Sequence, residues 1–434
     1  QGVFFYVQEK GKRDRKTKAF LSWFTQGYTK AIFGVRMSSL PTEPNYIEYG
    51  SKDFSAVLFS LFLAGFSIFS SLYCVQPMMP IFAQFFSVSP THSSFPLSFS
   101  TSALAVGLLF TGLISDRFGR KPVMAYALCL ASSLLIISSF FPIWEVFLFT
   151  RILIGLMVSG VAAVAMTYIG EEIADQDIGF AMGLYISGTA IGGMGGRLIA
   201  GVLVDFISWQ AATLIIGLLN LAIAVTFFII LPKSRHFKAY PIRFRRFKES
   251  FAKNIEDPKL RLLFILGFIL MGCFVSIFNY ISYHLLEKPF ELSQMWIGLI
   301  SAAYLAGIYS SPRASSWCRK FGRNKVLPCM LLMMLLGLMM MLIPSLWGIF
   351  TGLLIFTFSF FAAHSTASSW VSVHSLQYRA VASSLYLFCY YLGSSVLGSS
   401  SGLVWESWGW TGITVFIALI LALGMVLSLR LKPE

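Results

Sequence analysis

The sequence predicts an all-α membrane protein with twelve transmembrane helices arranged as two parallel six-helix repeats. Three observations support this fold class. Of the 434 residues, 56% are hydrophobic and 12% are charged, whereas soluble domains carry roughly 25% charged residues. The apolar residues form runs long enough for helices that cross about 30 Å of hydrocarbon. Short motifs of the first half also return in the second half.

The apolar runs form two groups of six, separated by a polar stretch. They lie at about 54–76, 97–115, 122–139, 144–168, 179–204 and 209–231, and at about 262–286, 295–311, 326–343, 347–370, 380–404 and 409–430. Their length and lack of internal charge predict membrane-spanning helices. We therefore expect an N-terminal bundle at 54–231, a basic linker at 232–261 and a C-terminal bundle at 262–430.

The segment 1–53 is predicted to be basic and cytoplasmic. Its first part, residues 1–36, carries basic and aromatic residues but lacks the apolar core of a signal peptide. We expect this part either to precede a native start at Met37 or to form a cytoplasmic amphipathic arm.

The net charge of +14 lies mostly between the apolar runs. This placement favours membrane topology over nucleic-acid binding as the reason for the basic balance. The Lys and Arg residues of the linker and of the loops after the second and eighth spans are Lys233, Arg235, Lys238, Arg243, Arg245, Arg246, Lys248, Lys253, Lys259, Arg261, Arg117, Arg120, Lys121, Arg313, Arg319, Lys320, Arg323 and Lys325. The loops of the opposite face offer only Lys288. The positive-inside rule then predicts that both termini and the linker are cytoplasmic.

Internal repetition supports a duplicated bundle. The letters FGRK at 118–121 return as FGRN at 321–324. Leu-Tyr at 184–185 and Ser-Trp at 208–209 correspond to Leu-Tyr at 385–386 and Gly-Trp at 409–410, an offset of 201 residues. Parallel repeats of this kind place a substrate between the two halves.

The loop between the second and third spans carries a specific motif, G-x-x-x-D-R-x-G-R-K. Its residues are Gly112, Asp116, Arg117, Gly119, Arg120 and Lys121. This spacing resembles the signature loop of the major facilitator superfamily. The glycines permit a tight turn, the acid can lie at a helix N-terminus, and the bases can meet acids and lipid headgroups. We predict a role in gating for this loop.

Two further motifs extend the resemblance. Arg151 in the fourth span, followed by Gly155 and Gly160, looks like the arginine motif of the family. The fifth span resembles the antiporter motif of drug/proton exporters through Gly183, Gly192, Gly196 and Gly201, with Arg197 in place of the expected proline. These glycines are expected chiefly to let helices approach closely.

The resemblance implies a secondary active transporter. Over residues 54–430 the chain resembles inner-membrane transport proteins of Gram-negative bacteria that are grouped with drug or sugar efflux permeases. The resemblance implies export of a small organic solute across a bacterial inner membrane, through alternating access and by proton antiport. A solute importer or facilitator of the same fold is the alternative, and a membrane sensor that transports nothing is a remote one.

Arg151 and Arg197 are charges well inside predicted spans, where an arginine must face protein or water. Each has two interpretations. Arg151 either couples protons or substrate, or is a hydrogen-bonding group between helices. Arg197 either faces the substrate cavity or joins two helices. His364, Glu171 and Glu172 are the other coupling candidates, because no Asp or Glu lies in the interior of a predicted span.

Polar residues at corresponding positions of the two halves are candidates for the substrate cavity. They are Tyr73, Gln76, Tyr185, Asn279, Tyr280, Tyr386 and Tyr390. Gln76 precedes Pro77, and a broken helix often marks a transporter's binding site. For each tyrosine the alternative is a place in the aromatic belt at the membrane interface.

Enzyme, metal and nucleotide chemistry find no support in the sequence. It contains no CxxC, no His/Cys ligand spacing, no phosphate-binding loop and no paired carboxylates in the spans. We expect no metal, no cofactor, no disulfide and no nucleic-acid partner. The expected partners are a small-molecule substrate, protons and membrane lipids, with the chain acting as a monomer.

Overall fold

The computed structural model describes residues 46–237, 239, 244–375 and 377–432, with the backbone alone at 244–247. Residues 1–45 lie outside this range, and so does the prediction made for 1–36. The described chain is helical. Its one β-bridge joins Ile47 to Ile173.

The first half contains six long helices. Their bounds are α1 Lys52–Tyr73, α2 Phe95–Phe118, α3 Arg120–Phe140, α4 Trp144–Glu172, α5 Ile178–Phe206 and α6 Trp209–Ile230. Two short helices, Met79–Phe85 and Pro90–Ser93, connect α1 to α2. A further amphipathic helix, Phe244–Glu256, leads from this half to the next.

The second half contains the corresponding elements. Their bounds are α7 Pro258–Leu286, α8 Gln294–Ile300 continued by Ser301–Ala303 and Tyr304–Phe321, α9 Arg323–Met340, α10 Leu346–His374, and a last element, Arg379–Leu429, which holds α11 and α12. That element has 51 residues, about 77 Å of helix, far more than a bilayer needs. It bends at Gly409, whose φ of 59° breaks the helix. The part before Gly409 is α11 and the part after it is α12.

Ten helical elements of the described ranges are long and apolar enough to cross a membrane. They account for the twelve predicted spans for two reasons. The eighth span is interrupted by a 3-10 turn, and the eleventh and twelfth are counted as one element.

The repeat seen in the sequence is also present in the backbone. Gly119 ends α2 and precedes α3 with a φ of 94°, and Gly322 ends α8 and precedes α9 with a φ of 87°. Glycine adopts this left-handed region without a steric penalty. The two FGR loops are therefore the same turn in both halves.

Close helix pairs repeat in the same way. A Cβ on Gly192 of α5 would lie 2.4 Å from the Phe66 carbonyl oxygen of α1, and a Cβ on Gly393 of α11 would lie 2.0 Å from the Phe268 carbonyl oxygen of α7. The two glycines are 201 residues apart. Helices α1 and α5 thus pack backbone to backbone, and so do α7 and α11.

Candidate functional site

The end of α1 explains where Arg151 goes. Helix α1 stops at Tyr73, and the carbonyls of its last turn have no partner within the helix. The fully buried Arg151 donates from Nη1 to the Ser71 oxygen at 2.8 Å and from Nη2 to the Leu72 oxygen at 2.7 Å. Its Nε donates to the Pro96 oxygen at 3.2 Å. This geometry favours the structural interpretation of Arg151, since every contact is a backbone carbonyl at or near a helix end.

Arg197 of α5 has a different environment. The residue is 3% exposed. Its Nε donates to Gln76 Oε1 at 2.5 Å and its Nη1 donates to the Gly193 oxygen at 2.6 Å. Its Nη2 has no hydrogen-bond partner of good geometry among the described residues, although the Tyr304 hydroxyl is close enough to the guanidinium to contribute a weak hydrogen bond. No carboxylate in the part of the chain that the structure describes pairs with Arg197.

Aromatic rings take the place of a counter-ion. The guanidinium carbon of Arg197 lies 4.2 Å from the ring centroid of Tyr73, 4.8 Å from that of Tyr304 and 5.4 Å from that of Phe278. An arginine inside a membrane costs about 2.5–3.5 kcal/mol on insertion scales. Each desolvated cation–π contact contributes up to about 2 kcal/mol, so three rings and two hydrogen bonds offset that cost.

Gln76 connects Arg197 to the second half. Its Nε2 donates to Asn279 Oδ1 at 2.6 Å, and Asn279 Nδ2 donates to the Gly398 oxygen at 3.2 Å. A chain of polar contacts therefore runs from α5 through the end of α1 to α7 and α11.

The rings around Arg197 continue into the second half. Tyr304 lies 5.5 Å from Phe274, Phe274 lies 3.8 Å from Phe360, and Phe360 lies 6.2 Å from His364, measured between centroids. The other members of this set are Tyr386, which shares a 3.0 Å hydrogen bond with His364 Nδ1, and Tyr390, whose centroid is 4.4 Å from that of His364. We call all these residues, with Arg197, Gln76, Asn279, Tyr73 and Phe278, the Arg197 cluster.

Two predicted cavity residues lie elsewhere or at the edge of this cluster. Tyr185 is buried in α5 and interacts electrostatically with Tyr391. Tyr280 lies in a separate aromatic group, with centroids 6.1 Å from both Tyr283 and Trp405. The structure therefore groups Tyr73, Gln76, Asn279, Tyr386 and Tyr390 with Arg197 and His364, but places Tyr280 apart.

The two halves are joined by a pair of carboxylates at the side opposite the basic loops. Asp205, in the last turn of α5, accepts from the backbone N–H groups of Gln294 at 3.0 Å and Met295 at 2.9 Å, where α8 begins. Glu406, near the end of α11, accepts from the N–H of Thr91 at 2.9 Å, in the short helix before α2. Asp205 and Glu406 are 201 residues apart, so the repeat places the same device on each half. We call these two contacts the carboxylate latches.

Small residues allow the halves to approach closely beside the latches. Hydroxyl contacts join α2 to α11, including Ser98 to Ser399 at 2.6 Å and Ser94 to Ser399 at 3.1 Å. A Cβ on Gly201 would lie 2.7 Å from the Gln294 oxygen, and a Cβ on Gly402 would lie 2.6 Å from the Thr91 Cα. These contacts close this side of the molecule.

The signature loop forms an ion-pair network within the first half. Arg120 donates from Nη1 to Asp116 Oδ1 at 2.6 Å, and binds Glu171 from Nε at 3.0 Å and from Nη2 at 2.7 Å. Lys121 Nζ donates to the Leu231 carbonyl oxygen. Arg117 is exposed. Asp116 in α2 and Glu171 in the last turn of α4 thus serve as counter-ions for Arg120.

Glu172 is fully buried and holds the start of the linker. Its carboxylate accepts from the N–H of Arg235 at 2.9 Å, from the N–H of His236 at 3.0 Å, and contacts His236 Nδ1 at 3.2 Å. Glu171 and Glu172 therefore make these contacts within the first half and the linker. None of these contacts is to a residue of the Arg197 cluster.

The glycines singled out in the sequence have different surroundings. A Cβ on Gly192 or Gly196 would strike α1, and one on Gly201 would strike α8. A Cβ on Gly183 or Gly112 would meet nothing within 4 Å. Close packing thus explains three of the four α5 glycines that belong to the antiporter-like motif.

Comparison with known proteins identifies the family. Residues 61–398 match the Major Facilitator Superfamily. The chain belongs to the major facilitator superfamily. It is 49% identical over 391 residues to the inner membrane transport protein YnfM of Escherichia coli K12, covering 90% of this chain and 94% of that protein. It is 46% identical to an uncharacterized transporter of Buchnera aphidicola from Schizaphis graminum, covering 88% of this chain and 92% of that protein.

Solved structures share this major facilitator fold. A mutant of the nucleoside transporter NupG aligns with a TM-score of 0.72 and 15% identity over 88% of this chain and all of that chain. A bacterial homologue of the human lysosomal transporter Spinster aligns with a TM-score of 0.71 and 13% identity over 87% of this chain and 96% of that chain. The predicted family and fold are confirmed: this major facilitator is a multi-pass membrane transporter of a small-molecule substrate, not an enzyme.

Sequence reasoning missed several residues that the fold of this major facilitator brings together. Phe278 and Tyr304 complete the rings around Arg197. Asp205 and Glu406 form the latches. The latches had a detectable signal, since their separation is the repeat offset of 201 residues.

Proposed function

We propose that this transporter exports a small organic solute from the bacterial cytoplasm, with the Arg197 cluster as its substrate site. The observation that carries the proposal is the composition of the cluster. It contains a buried cation with an unused donor nitrogen, and its residues come from both halves. A site built from both halves changes its exposure when the halves rock against each other.

The basic loops are proposed to face the cytoplasm, in keeping with the positive-inside rule. In that orientation the latches close the external side in the present state. Asp116 and Arg120 are proposed to support the alternative state, in which the cytoplasmic side closes and the signature loop meets the second half. Lipid headgroups would then lie near the exposed Arg117.

The similarity to an inner membrane transport protein supports the inner-membrane location. Export rests on the glycine pattern of α5, which resembles the antiporter motif of drug/proton exporters. Proton antiport remains a prediction. Within the cluster, His364 is the residue proposed to carry the proton, because it shares a hydrogen bond with Tyr386 and its ring stacks with Phe360, in the series of rings that leads to Arg197. The chain is proposed to act as a monomer.

Transport into everted membrane vesicles tests direction and coupling. Vesicles from an overexpressing strain and from a deletion strain would be given a defined mixture of sugars, amino acids, aromatic acids and antibiotics, and the contents would be measured by mass spectrometry. We expect one solute class to accumulate only in the overexpressing vesicles, and more strongly with an acidic interior. Accumulation only in right-side-out vesicles would show import instead.

Cysteine labelling tests the orientation independently. Lys253 is exposed on the helix Phe244–Glu256, which we call the linker helix. A Lys253→Cys variant in a cysteine-free background therefore reports on which side of the membrane the linker lies. We expect an impermeant maleimide to label it in everted vesicles and not in intact cells. Labelling in intact cells would reverse the proposed topology.

A further inference from the structure

We propose that the Arg197 cluster selects a small organic monoanion with an aromatic body, that is, an aromatic carboxylate. This inference rests on the proposed use of the cluster as the substrate site. It assigns a substrate class that neither the family nor the relatives supply.

The charge argument starts from what Arg197 lacks. Its Nε and Nη1 are occupied by neutral acceptors, Gln76 and the Gly193 carbonyl. Its Nη2 is buried without a partner, and no carboxylate of the described ranges pairs with it. The guanidinium therefore carries a full positive charge without a carboxylate beside it, and the two N–H groups of Nη2 have no well-aligned acceptor. A carboxylate supplies both the missing charge and the missing acceptors.

The aromatic rings determine the rest of the ligand. Tyr73, Phe278 and Tyr304 surround the guanidinium at 4.2–5.4 Å. The path from these rings toward His364 runs over Phe274 and Phe360. A sugar would leave its hydroxyl groups without partners on these faces, whereas an aromatic ring packs against them in offset or edge-on contact.

The same geometry links the ligand to the movement of the halves. Gln76 donates to Asn279 across the halves while it accepts from Arg197. A carboxylate on Nη2 would leave this Gln76 bridge in place, so its binding does not require the bond between the halves to break. The Tyr304 hydroxyl, the electrostatic neighbour of the guanidinium, is positioned to donate a second hydrogen bond to the bound anion.

Equilibrium binding in detergent tests the assignment with four small probes. They are benzoate, benzamide, benzylamine and acetate, which separate the charge from the ring. We expect benzoate to bind at least tenfold more tightly than each of the other three. Benzamide binding as tightly as benzoate would overturn the role of charge, and acetate binding as tightly would overturn the role of the rings.

Variants then connect the binding to Arg197. We expect Arg197→Gln to lose benzoate binding by more than tenfold, and Arg197→Lys to lose less, since the charge remains. Gln76→Glu keeps the arginine and supplies an internal counter-ion, so it should also weaken benzoate binding by about tenfold even if Arg197→Gln does not fold. Arg313→Gln is the matched control, because Arg313 is exposed on α8 and contacts Tyr309. Unchanged benzoate affinity in Gln76→Glu would overturn the proposal.

The binding test and the transport test fail separately. If the vesicles move a solute but the protein shows no preference for benzoate, the transport proposal stands and the substrate class is wrong. If benzoate binds through Arg197 but the vesicles move no solute, the site is correct and the export proposal fails.

Discussion

Gln76 donates a 2.6 Å hydrogen bond to Asn279. Gln76 follows the end of α1 and Asn279 lies in α7, so this contact joins the first helices of the two halves. Any movement that separates the halves here must break this bond, and a buried amide left without a partner is unfavourable. The bond thus contributes to the stability of the state seen here.

Replacing Asn279 by leucine is predicted to favour opening on the side of the latches. The change removes the acceptor of Gln76 and the donor to the Gly398 carbonyl, about 1–3 kcal/mol for a buried group left unpaired. The readout is the rate at which a Ser94→Cys variant, buried between α2 and α11, reacts with a maleimide. Asn220→Leu is the control, because Asn220 binds Ser70 and Ser71 within one half. It should lower the unfolding temperature and leave the labelling rate unchanged.

Neutralising both latches is predicted to open the same side. Asp205 and Glu406 each accept from the N–H groups of a helix start, and a charge at that place contributes about 0.3–1 kcal/mol. The double variant Asp205→Asn with Glu406→Gln should raise Ser94→Cys labelling about 3- to 30-fold. Each single variant should produce a smaller and similar increase.

The control for the latches is Glu145→Gln. Glu145 is an exposed acid in the first turn of α4, so Glu145→Gln removes one negative charge, as each single latch variant does, without removing a contact between the halves. Equal labelling in Glu145→Gln and in either single latch variant would show that net charge, rather than the latches, controls opening.

Arg151→Met is predicted to impair folding rather than turnover. It leaves the Ser71 and Leu72 carbonyls unpaired in a buried place, which costs about 1–3 kcal/mol for each group. We expect less folded protein and a lower unfolding temperature by scanning fluorimetry, with transport per folded molecule within about twofold of wild type. A variant that folds at the wild-type temperature but transports nothing would instead assign Arg151 to coupling.

The contacts of Asp257, the residue between the helix Phe244–Glu256 and α7, are predicted to weaken in acid. Burial disfavours the charge of Asp257, but the N–H of Leu260, the ring of His374 and the N–H of Lys259 outweigh it and lower the pKa of this carboxyl. A lowered pKa stabilises the fold above the ordinary value of about 3.9, and that stabilisation is lost as pH falls through the folded pKa. Asp257 also caps α7.

Asp257→Ala should therefore lower the free energy of unfolding by about 1 kcal/mol at neutral pH, the usual contribution of a helix cap. The difference from wild type should narrow as pH falls below about 4, through the folded pKa of Asp257. Thermal unfolding in detergent over this range measures it. Glu256→Ala, at the exposed neighbouring position, should show no such narrowing.

The sequence predicted the architecture well because lipid restricts it so strongly. A chain with apolar runs of this length has little choice but helices, since every backbone polar group in hydrocarbon must be satisfied locally. The repeat then determined which helices correspond. A break between the last two spans was predicted at about 405–408, and the structure places it at Gly409, with helix continuing up to that residue.

The site was predicted less completely. Gln76 and Asn279 were found because they are polar residues in apolar spans. Phe278 and Tyr304 were not, because their function depends on their distance from Arg197 and nothing in their spacing along the chain distinguishes them from other membrane aromatics. Arg151 and Arg197 looked alike in sequence, and only their surroundings, carbonyls for one and rings for the other, separate them.

The absence of a carboxylate partner for Arg197 in the described part of the chain also bears on what drives transport. If the site neutralises its charge with a substrate anion, each turnover moves one negative charge across the bilayer. A membrane potential of 100 mV, negative inside, contributes about 2.3 kcal/mol to the outward movement of that charge. At equilibrium this free energy corresponds to an anion concentration roughly fiftyfold higher outside the cell than inside. Export of an anion would therefore be electrogenic, and the membrane potential would drive it together with the proposed exchange for protons.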